Sequence, residues 1–311
     1  MPVNPYDYFT HQVTSPAWHW EIVWYFFFAG IAAGTYITST IAQLAGSKND
    51  LQGVIRGYLI GFPVILICGI LLVTDLDSPT RFLHMLWYPR ENIPMFKAHS
   101  PMSVGGWVVG LFGAFSFIGF LYALVKMEKI KTPWLVKLTS FFHESAFSKL
   151  FLIIGMLCGF YLGTYTGVLA NTSQLPGWTA SPLLPVLFLA SGMSAGMALM
   201  LLVTPKKSEL NEYKHKLERA DKYMVILELV ALALFLITLG QWAGKVTTGF
   251  YGFLLWVGVV LIGLLLPLLL KWKPNLLGHR TTLVSSLLIL VGGYVLRYVV
   301  IMGPQSGYFG F

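Results

Sequence analysis

The chain has little cysteine and little charge. Of its 311 residues, 2 are cysteine and 11% are charged. Cys68 and Cys158 both fall in apolar runs, where cysteine usually behaves as a small buried hydrophobic residue. Two thiols cannot supply the four thiolates of an iron–sulfur cluster. We therefore expect no iron–sulfur cluster in this chain and no disulfide framework.

Histidines deep inside apolar segments are also missing. All 7 histidines fall in loops or near predicted helix ends: His11, His19, His84, His99, His143, His215 and His279. A membrane haem usually takes its axial ligands from histidines well inside helices, so we expect no haem. Walker, GxGxxG and hydrolase-elbow motifs are absent as well. Any electrons handled here would pass through a bound organic molecule and an external partner.

Long apolar runs dominate what remains. The sequence is 56% apolar, with a mean hydropathy of +0.70, and a helix needs about 20 apolar residues to cross a bilayer. Continuous runs of that length predict an all-α integral membrane protein with eight transmembrane helices. The predicted spans are 20–45, 53–75, 103–125, 149–171, 183–204, 223–242, 250–270 and 282–302.

The distribution of basic residues predicts the orientation. With the N-terminus outside, the inward loops hold 16 of the lysines and arginines and the outward segments hold 4. Such a bias indicates that the lysine-rich loops face the cytoplasm. Both termini and the 75–107 loop are therefore expected on the outer, periplasmic side. The net charge of +8 then faces anionic lipid headgroups and requires no nucleic-acid partner.

Small residues suggest how the helices pack. The fourth span carries Gly155, Gly159, Gly163 and Gly167, a spacing that lets two helix backbones approach closely in lipid. AGIAAG at 29–34 parallels SGMSAG at 191–196, which favours two four-helix bundles, 1–171 and 172–311, within one membrane domain. Residues 132–147 read as a helix lying in the inner interface. Residues 206–222 read as a solvated cytoplasmic helix.

Polar residues cluster at one end of the predicted spans. The segment 75–107 mixes acids, bases and aromatic residues, which indicates a site for proton-coupled chemistry or a docking surface for a soluble partner. Ionisable groups within spans are functional candidates because burying charge in lipid is costly. By depth, the outer group comprises His19, Glu21, Asp75, Arg81, Tyr165, Asn171 and Arg297. Glu228 is different, because it is expected about 9 Å from the cytoplasmic end of the sixth span at 1.5 Å per residue. A structural ion pair of Asp75 with Arg81 or Arg297 is the plainer alternative.

Six motifs in order resemble one family of membrane subunits. They are HWEIVWYFFFAGIAAGTY (19–36), LLVTDLDSPTRFLHML (71–86), KAHSPMSVGGW (97–107), YLGTYTGVL (161–169), SGMSAG (191–196) and GGYVLRYVVIMGPQ (292–305). They are spread from residue 19 to residue 305, so the resemblance covers essentially the whole chain. The chain is similar to the NrfD/PsrC family, the haem-free membrane subunits of prokaryotic quinone-linked oxidoreductases.

The resemblance implies a quinone as cofactor, either menaquinone or ubiquinone, bound near the outer face of the cytoplasmic membrane. It also implies two kinds of partner: a ferredoxin-like iron–sulfur subunit, and a molybdopterin or multihaem catalytic subunit that holds the terminal substrate. Family quinone-site positions match His19 and Tyr165, with Tyr161 as the competing tyrosine. No metal site is expected.

Quinol oxidation releases protons with its electrons, so the site needs acid–base groups. His19 can change protonation near neutral pH, Glu21 and Asp75 could relay protons outward, and Glu228 could begin a path from the cytoplasm, giving proton translocation. The sequence leaves two alternatives open: an anchoring subunit without redox activity, and a secondary transporter, whose sites usually lie near the membrane midplane.

Overall fold

Long helices make up most of the structure. The computed structural model describes residues 18–76, 78–173, 175–205, 210–273 and 276–306. Its helices are α1 Trp20–Ala45, α2 Leu51–Thr74, α3 Pro101–Lys126, α4 Pro133–Glu144, α5 Ser148–Asn171, α6 Pro176–Thr179, α7 Leu184–Val203, α8 Asn211–Thr238, α9 Ala243–Thr247, α10 Gly249–Trp272 and α11 Thr281–Gln305. The middle of α10, Leu254–Leu265, has wider π-helical turns. Short 3₁₀ turns lie at Lys48–Asp50, Pro79–Met85, Gly240–Trp242 and Gly278–Arg280, and β1 Trp87–Tyr88 pairs antiparallel with β2 Ile93–Pro94.

The helices confirm an all-α integral membrane protein. Within the described ranges, seven helices are long and apolar enough to cross a membrane: α1, α2, α3, α5, α7, α10 and α11. Helix α8 qualifies as the eighth only together with the segment Gly240–Thr247, which bends away from it by 106°. The sidedness of the termini remains a prediction, so the two ends of the helices are called here the His19 end and the Asp50 end.

Helix α8 is where the predicted boundaries differ most. The sequence predicted a solvated helix up to 222 and a separate span from 223, but one continuous helix runs from Asn211 to Thr238. Its polar first half is not solvated on all sides, because Tyr213, Leu217 and Asp221 are buried. A run of charged residues is typical of a solvated helix. Here, however, one face of the helix packs on its neighbours, and that face includes Asp221, which pairs with Lys271.

Helices α1 and α7 pack backbone to backbone at the centre of the protein. A Cβ on Gly30 would lie 3.0 Å from the Cα of Gly192, and one on Gly196 would lie 2.7 Å from the carbonyl carbon of Gly34. The two similar motifs are therefore the faces through which α1 and α7 meet. Helix α1 also contacts α2 and α5, and α7 also contacts α5, α8 and α11. The division into two bundles at 171 stays a prediction.

The glycine face of α5 packs as its spacing indicates. A Cβ on Gly159 would lie 3.0 Å from Ile37 Cγ1, and one on Gly163 would lie 2.7 Å from Leu189 Cδ1. The neighbours therefore belong to α1 and α7. The small residues let three helices converge, because the glycines of α5 leave room for side chains of α1 and α7 to pack directly against its backbone.

The amphipathic helix α4 packs against α1 and α3 at the Asp50 end. His143 is buried and its ring stacks on Tyr122 with centroids 4.2 Å apart. Its Nδ1 lies 3.3 Å from Gln43 Oε1, and Glu144 pairs with Lys126 at 2.5 Å. Burial lowers the pKa of His143 to about 3, against the charge of Glu144, which raises it. The imidazole is therefore neutral at physiological pH.

Candidate functional site

Three acid–base side chains meet where α1 begins and α2 ends. One ligand-capable atom from each of His19, Glu21 and Asp75 lies within 4.8 Å of the others. His19 Nδ1 is 3.6 Å from Asp75 Oδ1, and the His19 side chain is 69% exposed whereas that of Asp75 is 20% exposed. Adjacent helices of opposite direction bring the start of α1 and the end of α2 to the same end. We call His19, Glu21 and Asp75 the trio. Its members lead from solvent into the protein, because His19 is exposed whereas Glu21 and Asp75 are partly buried.

Tyr165 lies further inside the protein at the same end, where its ring packs against Gly105. Its side chain is buried, and a Cβ on Gly105, in the first turns of α3, would collide with the Tyr165 ring. Tyr161, one turn earlier on α5, stacks on Tyr165 with ring centroids 6.0 Å apart but is 38% exposed. The two candidate tyrosines are thus distinguished by burial: Tyr165 points into the protein and Tyr161 lies at its surface.

Several polar atoms near this end are buried without a hydrogen-bond partner among the described residues. They are Glu21 Oε2, the Tyr25 hydroxyl and Asn171 Oδ1. Such groups are rare in native interiors and call for a bound water, ion or ligand. The sequence analysis missed Tyr25, which lies one turn inward from Glu21 on α1 and close enough to interact electrostatically with Tyr165. The i, i+4 spacing from Glu21 was the signal for it.

The two arginines of the predicted outer group differ in burial. Arg81 is exposed on the 3₁₀ turn after α2. Arg297 is fully buried, and its Nε donates to the carbonyl oxygen of Phe26 at 3.3 Å and its Nη2 to that of Phe188 at 3.2 Å. It therefore lies about two turns deeper along α1 than His19. The donors of Arg297 are used by these groups, and among the described residues it makes no ion pair with Asp75; its place in the outer group stays a prediction.

Arg297 is linked to Glu228 through a serine. Arg297 Nη1 donates to the Ser191 hydroxyl at 2.7 Å, and Ser191 and Arg297 are both close enough to the Glu228 carboxyl to interact with it electrostatically. Glu228 is buried and lies 17 residues, or about 26 Å at 1.5 Å per residue, from the start of α8 at Asn211. The predicted depth of about 9 Å is counted from the end of the apolar run, and α8 extends beyond that run toward the Asp50 end, so the depth of Glu228 in the membrane stays a prediction.

A buried ion pair lies between Glu228 and the Asp50 end. Lys271 Nζ is 2.5 Å from Asp221 Oδ2, and Ser194 donates to Asp221 Oδ1 at 3.3 Å. Asp221 lies two turns before Glu228 on α8, and Ser194 follows Ser191 by one turn on α7. These residues were missed because the charged run containing Asp221 was interpreted as solvated. Pairing explains how two charges can be buried there.

The trio of His19, Glu21 and Asp75 also has the donors of a cation site. One imidazole nitrogen and two carboxylate oxygens are common ligands of divalent transition metals. The prediction that no metal binds stays a prediction, and the same three groups suit proton transfer.

A surface rich in apolar side chains adjoins the trio. The segment between α2 and α3 exposes Phe82, Leu83, Trp87, Ile93 and Phe96. The hairpin is held by local hydrogen bonds, including Trp107 Nε1 to the carbonyl oxygen of Met95 at 3.0 Å. Contiguous exposed apolar surface marks interaction sites. We call residues 79–102 the hairpin face.

Comparison with known proteins identifies the family. The family model described as "Polysulphide reductase, NrfD" matches residues 9–307. The chain belongs to the NrfD family. A polysulfide reductase chain of Wolinella succinogenes is 28% identical over 95% of this chain and 96% of its own length. Protein NrfD of Escherichia coli is 29% identical over 94% of this chain and 96% of its own. A selenate reductase subunit of Mesobacillus selenatarsenatis is 25% identical over 92% of this chain and 73% of its own.

These relatives confirm the resemblance seen in the motifs. NrfD-family relatives are membrane subunits of reductase complexes, and this chain is a multi-pass membrane protein of the same family.

Proposed function

We propose that this chain is the quinone-reactive membrane subunit of a respiratory oxidoreductase complex in a prokaryotic cytoplasmic membrane. It would exchange electrons between the quinone pool and a peripheral iron–sulfur subunit. The observation that carries the proposal is the convergence of His19, Glu21 and Asp75 beside a buried tyrosine, at one end of a protein of the NrfD family.

The residues at the His19 end fit a quinone head group. Such a head presents two carbonyl oxygens on opposite sides of a ring, and each needs a hydrogen-bond donor. The His19 imidazole, which lies at the protein surface, and the buried hydroxyls of Tyr165 and Tyr25 are suitable donors at different depths. The partnerless Tyr25 hydroxyl and Asn171 Oδ1 are what a site for a polar ligand would leave. Menaquinone and ubiquinone share these oxygens.

The side chains also fit the proton chemistry. A bound quinol supplies two electrons and two protons when it is oxidised. His19 would accept a proton at its ring nitrogen, and Asp75, 3.6 Å away, would stabilise the imidazolium. Glu21, within the same 4.8 Å cluster, would exchange the proton with His19, and His19, the exposed member of the three, would release it to solvent.

Tyr161 would mark the entrance from lipid. It is 38% exposed and stacks on the buried Tyr165. An apolar quinone diffusing in the membrane would first meet Tyr161 and then move along the stacked rings. We assign it to access and Tyr165 to hydrogen bonding.

The hairpin face would dock the iron–sulfur subunit. It is contiguous with the trio at the end of α2, and its exposed aromatic side chains are typical of interface anchors. Electrons would then travel a short distance from the site to the partner, which passes them to or from a molybdopterin or multihaem subunit.

Glu228 would extend a proton route from the opposite end. The buried polar residues run from Lys271 and Asp221, through Ser194 and Ser191, to Glu228 and Arg297. Buried ionisable groups in membrane helices mark such relays. Proton uptake from the Asp50 end would make turnover electrogenic.

The first test is quinone extraction and mass spectrometry of the complex purified in detergent. We expect about one quinone per chain in the wild type, retention in Tyr161→Phe, and loss in Tyr165→Phe and His19→Ala. Tyr161→Phe is the matched control, since it removes the same hydroxyl one turn away. Absence of quinone from a wild-type complex that retains its iron–sulfur partner would instead indicate an anchoring subunit.

The proton route has its own test. In reconstituted vesicles, Glu228→Gln should abolish proton uptake coupled to quinol oxidation, while quinone stays bound. Uptake and turnover equal to wild type would remove Glu228 from the mechanism without affecting the assignment of the His19 end.

A further inference from the structure

A cavity of about 460 Å³ opens at the Asp50 end, far from the proposed quinone site. It lies between the first half of α8, the end of α10 and the start of α11. The lining side chains used here are His215, Glu218, Arg219, Lys222, Lys271 and Ser285. Three of these are lysine or arginine, one is histidine and one is glutamate.

The cavity holds an excess of positive charge. The Glu218 carboxylate already has partners, because Thr282 donates a hydrogen bond to it at 2.8 Å and His215 Nδ1 lies 3.6 Å away. Lys271 is neutralised by Asp221. Arg219 makes no ion pair among the described residues, and Lys222 has only the ring of Trp272 at 5.4 Å. Two cations therefore face this space without an acidic partner in the described chain.

The opposite wall is the start of a long helix. Thr281, Thr282 and Ser285 line the cavity in the first turns of the 25-residue helix α11. The hydroxyls of Thr282 and Ser285 donate within the protein, to Glu218 Oε1 and to the carbonyl oxygen of Thr282, so this wall contributes the positive end of the helix dipole, which favours an anion. Two cations without an acidic partner in the described chain on one side and the positive end of a helix dipole on the other are complementary to a phosphate group.

The rim of the cavity is apolar and exposed. Trp272 is 60% exposed, and Leu276 and Leu277, next to the lining residue Gly278, are 57% and 42% exposed. A soluble phosphate compound gains nothing from such a rim, whereas a lipid places acyl chains against it. Basic pockets between membrane helices on the positively charged side are known to accept acidic headgroups.

We propose that this cavity binds the phosphate of an anionic phospholipid from the leaflet at the lysine-rich end. Arg219 and Lys222 hold the phosphate, the positive end of the α11 dipole faces it, and the acyl chains lie along Trp272 and Leu277. The bound lipid bridges α8 to α10 and α11, which contact α8 less extensively than they contact each other.

The test is a thermal-stability titration of the purified protein with short-chain phosphatidylglycerol, short-chain phosphatidylcholine and inorganic phosphate. We expect saturable stabilisation by phosphatidylglycerol only. The double variant Arg219→Gln, Lys222→Gln should bind about 30-fold more weakly, since each basic residue near an anionic lipid contributes about one kcal/mol. The control is Lys137→Gln, Lys149→Gln, which removes two exposed charges predicted to lie at the same end and should bind as wild type does.

The possible outcomes either support or overturn the proposed lipid site. Equal weakening in both double variants would overturn the proposal, because general surface charge would then explain binding. Stabilisation by inorganic phosphate as strong as that by phosphatidylglycerol would assign the cavity to a soluble phosphate compound and overturn the lipid assignment. The charge-keeping variant Arg219→Lys, Lys222→Arg should retain binding, which guards against a mere folding defect in the glutamine variant.

Discussion

The buried arginine provides the sharpest test of the fold. Arg297 donates to Ser191 and to three backbone carbonyl oxygens, of Phe26, Phe188 and Gly293, and its side chain is shielded from solvent because it is 1% exposed. Arg297→Met keeps most of the side-chain volume but removes the charge and all donors. The Glu228 carboxyl would then lose the cation that balances it.

The expected loss is large. Removing one member of a buried charged pair destabilises a protein by about 3–5 kcal/mol, because the other charge is left without compensation. Glu228→Gln alone should also destabilise, since it leaves the guanidinium unbalanced. The double variant should lose less than the sum of the two, with a coupling energy of about 1–3 kcal/mol.

The assay is equilibrium unfolding in mixed detergent micelles for wild type, both single variants and the double variant. Arg81→Met is the control, because Arg81 is an exposed arginine and its replacement should change the free energy of unfolding by less than about 0.5 kcal/mol. Strictly additive losses would refute the coupling of Arg297 to Glu228. A loss in Arg297→Met no larger than in Arg81→Met would refute its structural role.

Three further predictions concern other parts of the protein. Burial lowers the pKa of His143 to about 3, so below about pH 6.5 the unfolded chain binds a proton that the folded protein does not. The free energy of unfolding should therefore fall by about 1.4 kcal/mol for each pH unit below that value. His143→Phe should flatten this dependence when unfolding is measured from pH 7 to 5. Gly34→Ala should lower the Tm, because its Cβ would meet the backbone of Gly192, whereas Gly113→Ala, where the Cβ meets open space, should leave the Tm unchanged or raise it. Elemental analysis of the purified protein should find well below one metal ion per chain, and a stoichiometric ion that is lost in His19→Ala would overturn the metal-free prediction.

The sequence alone determined the membrane class and the course of the helices. A bilayer demands about 20 apolar residues per span, so the predicted span 149–171 agrees with Ser148–Asn171 and 282–302 with Thr281–Gln305. The juxtaposition of His19 and Asp75 was also accessible, because successive spans alternate in direction and bring those ends to the same depth.

Only the tertiary structure decided which side chains share a site. Position along a helix axis can be counted from the sequence, but the direction around the axis depends on which helices are neighbours. For that reason the sequence left Arg81 and Arg297 open as ion-pair partners of Asp75, whereas packing against α7 directs Arg297 to Ser191 and Glu228. The same cause separates the buried Tyr165 from the exposed Tyr161 and hides Asp221 within a charged run, where Lys271 from a distant helix makes its burial possible.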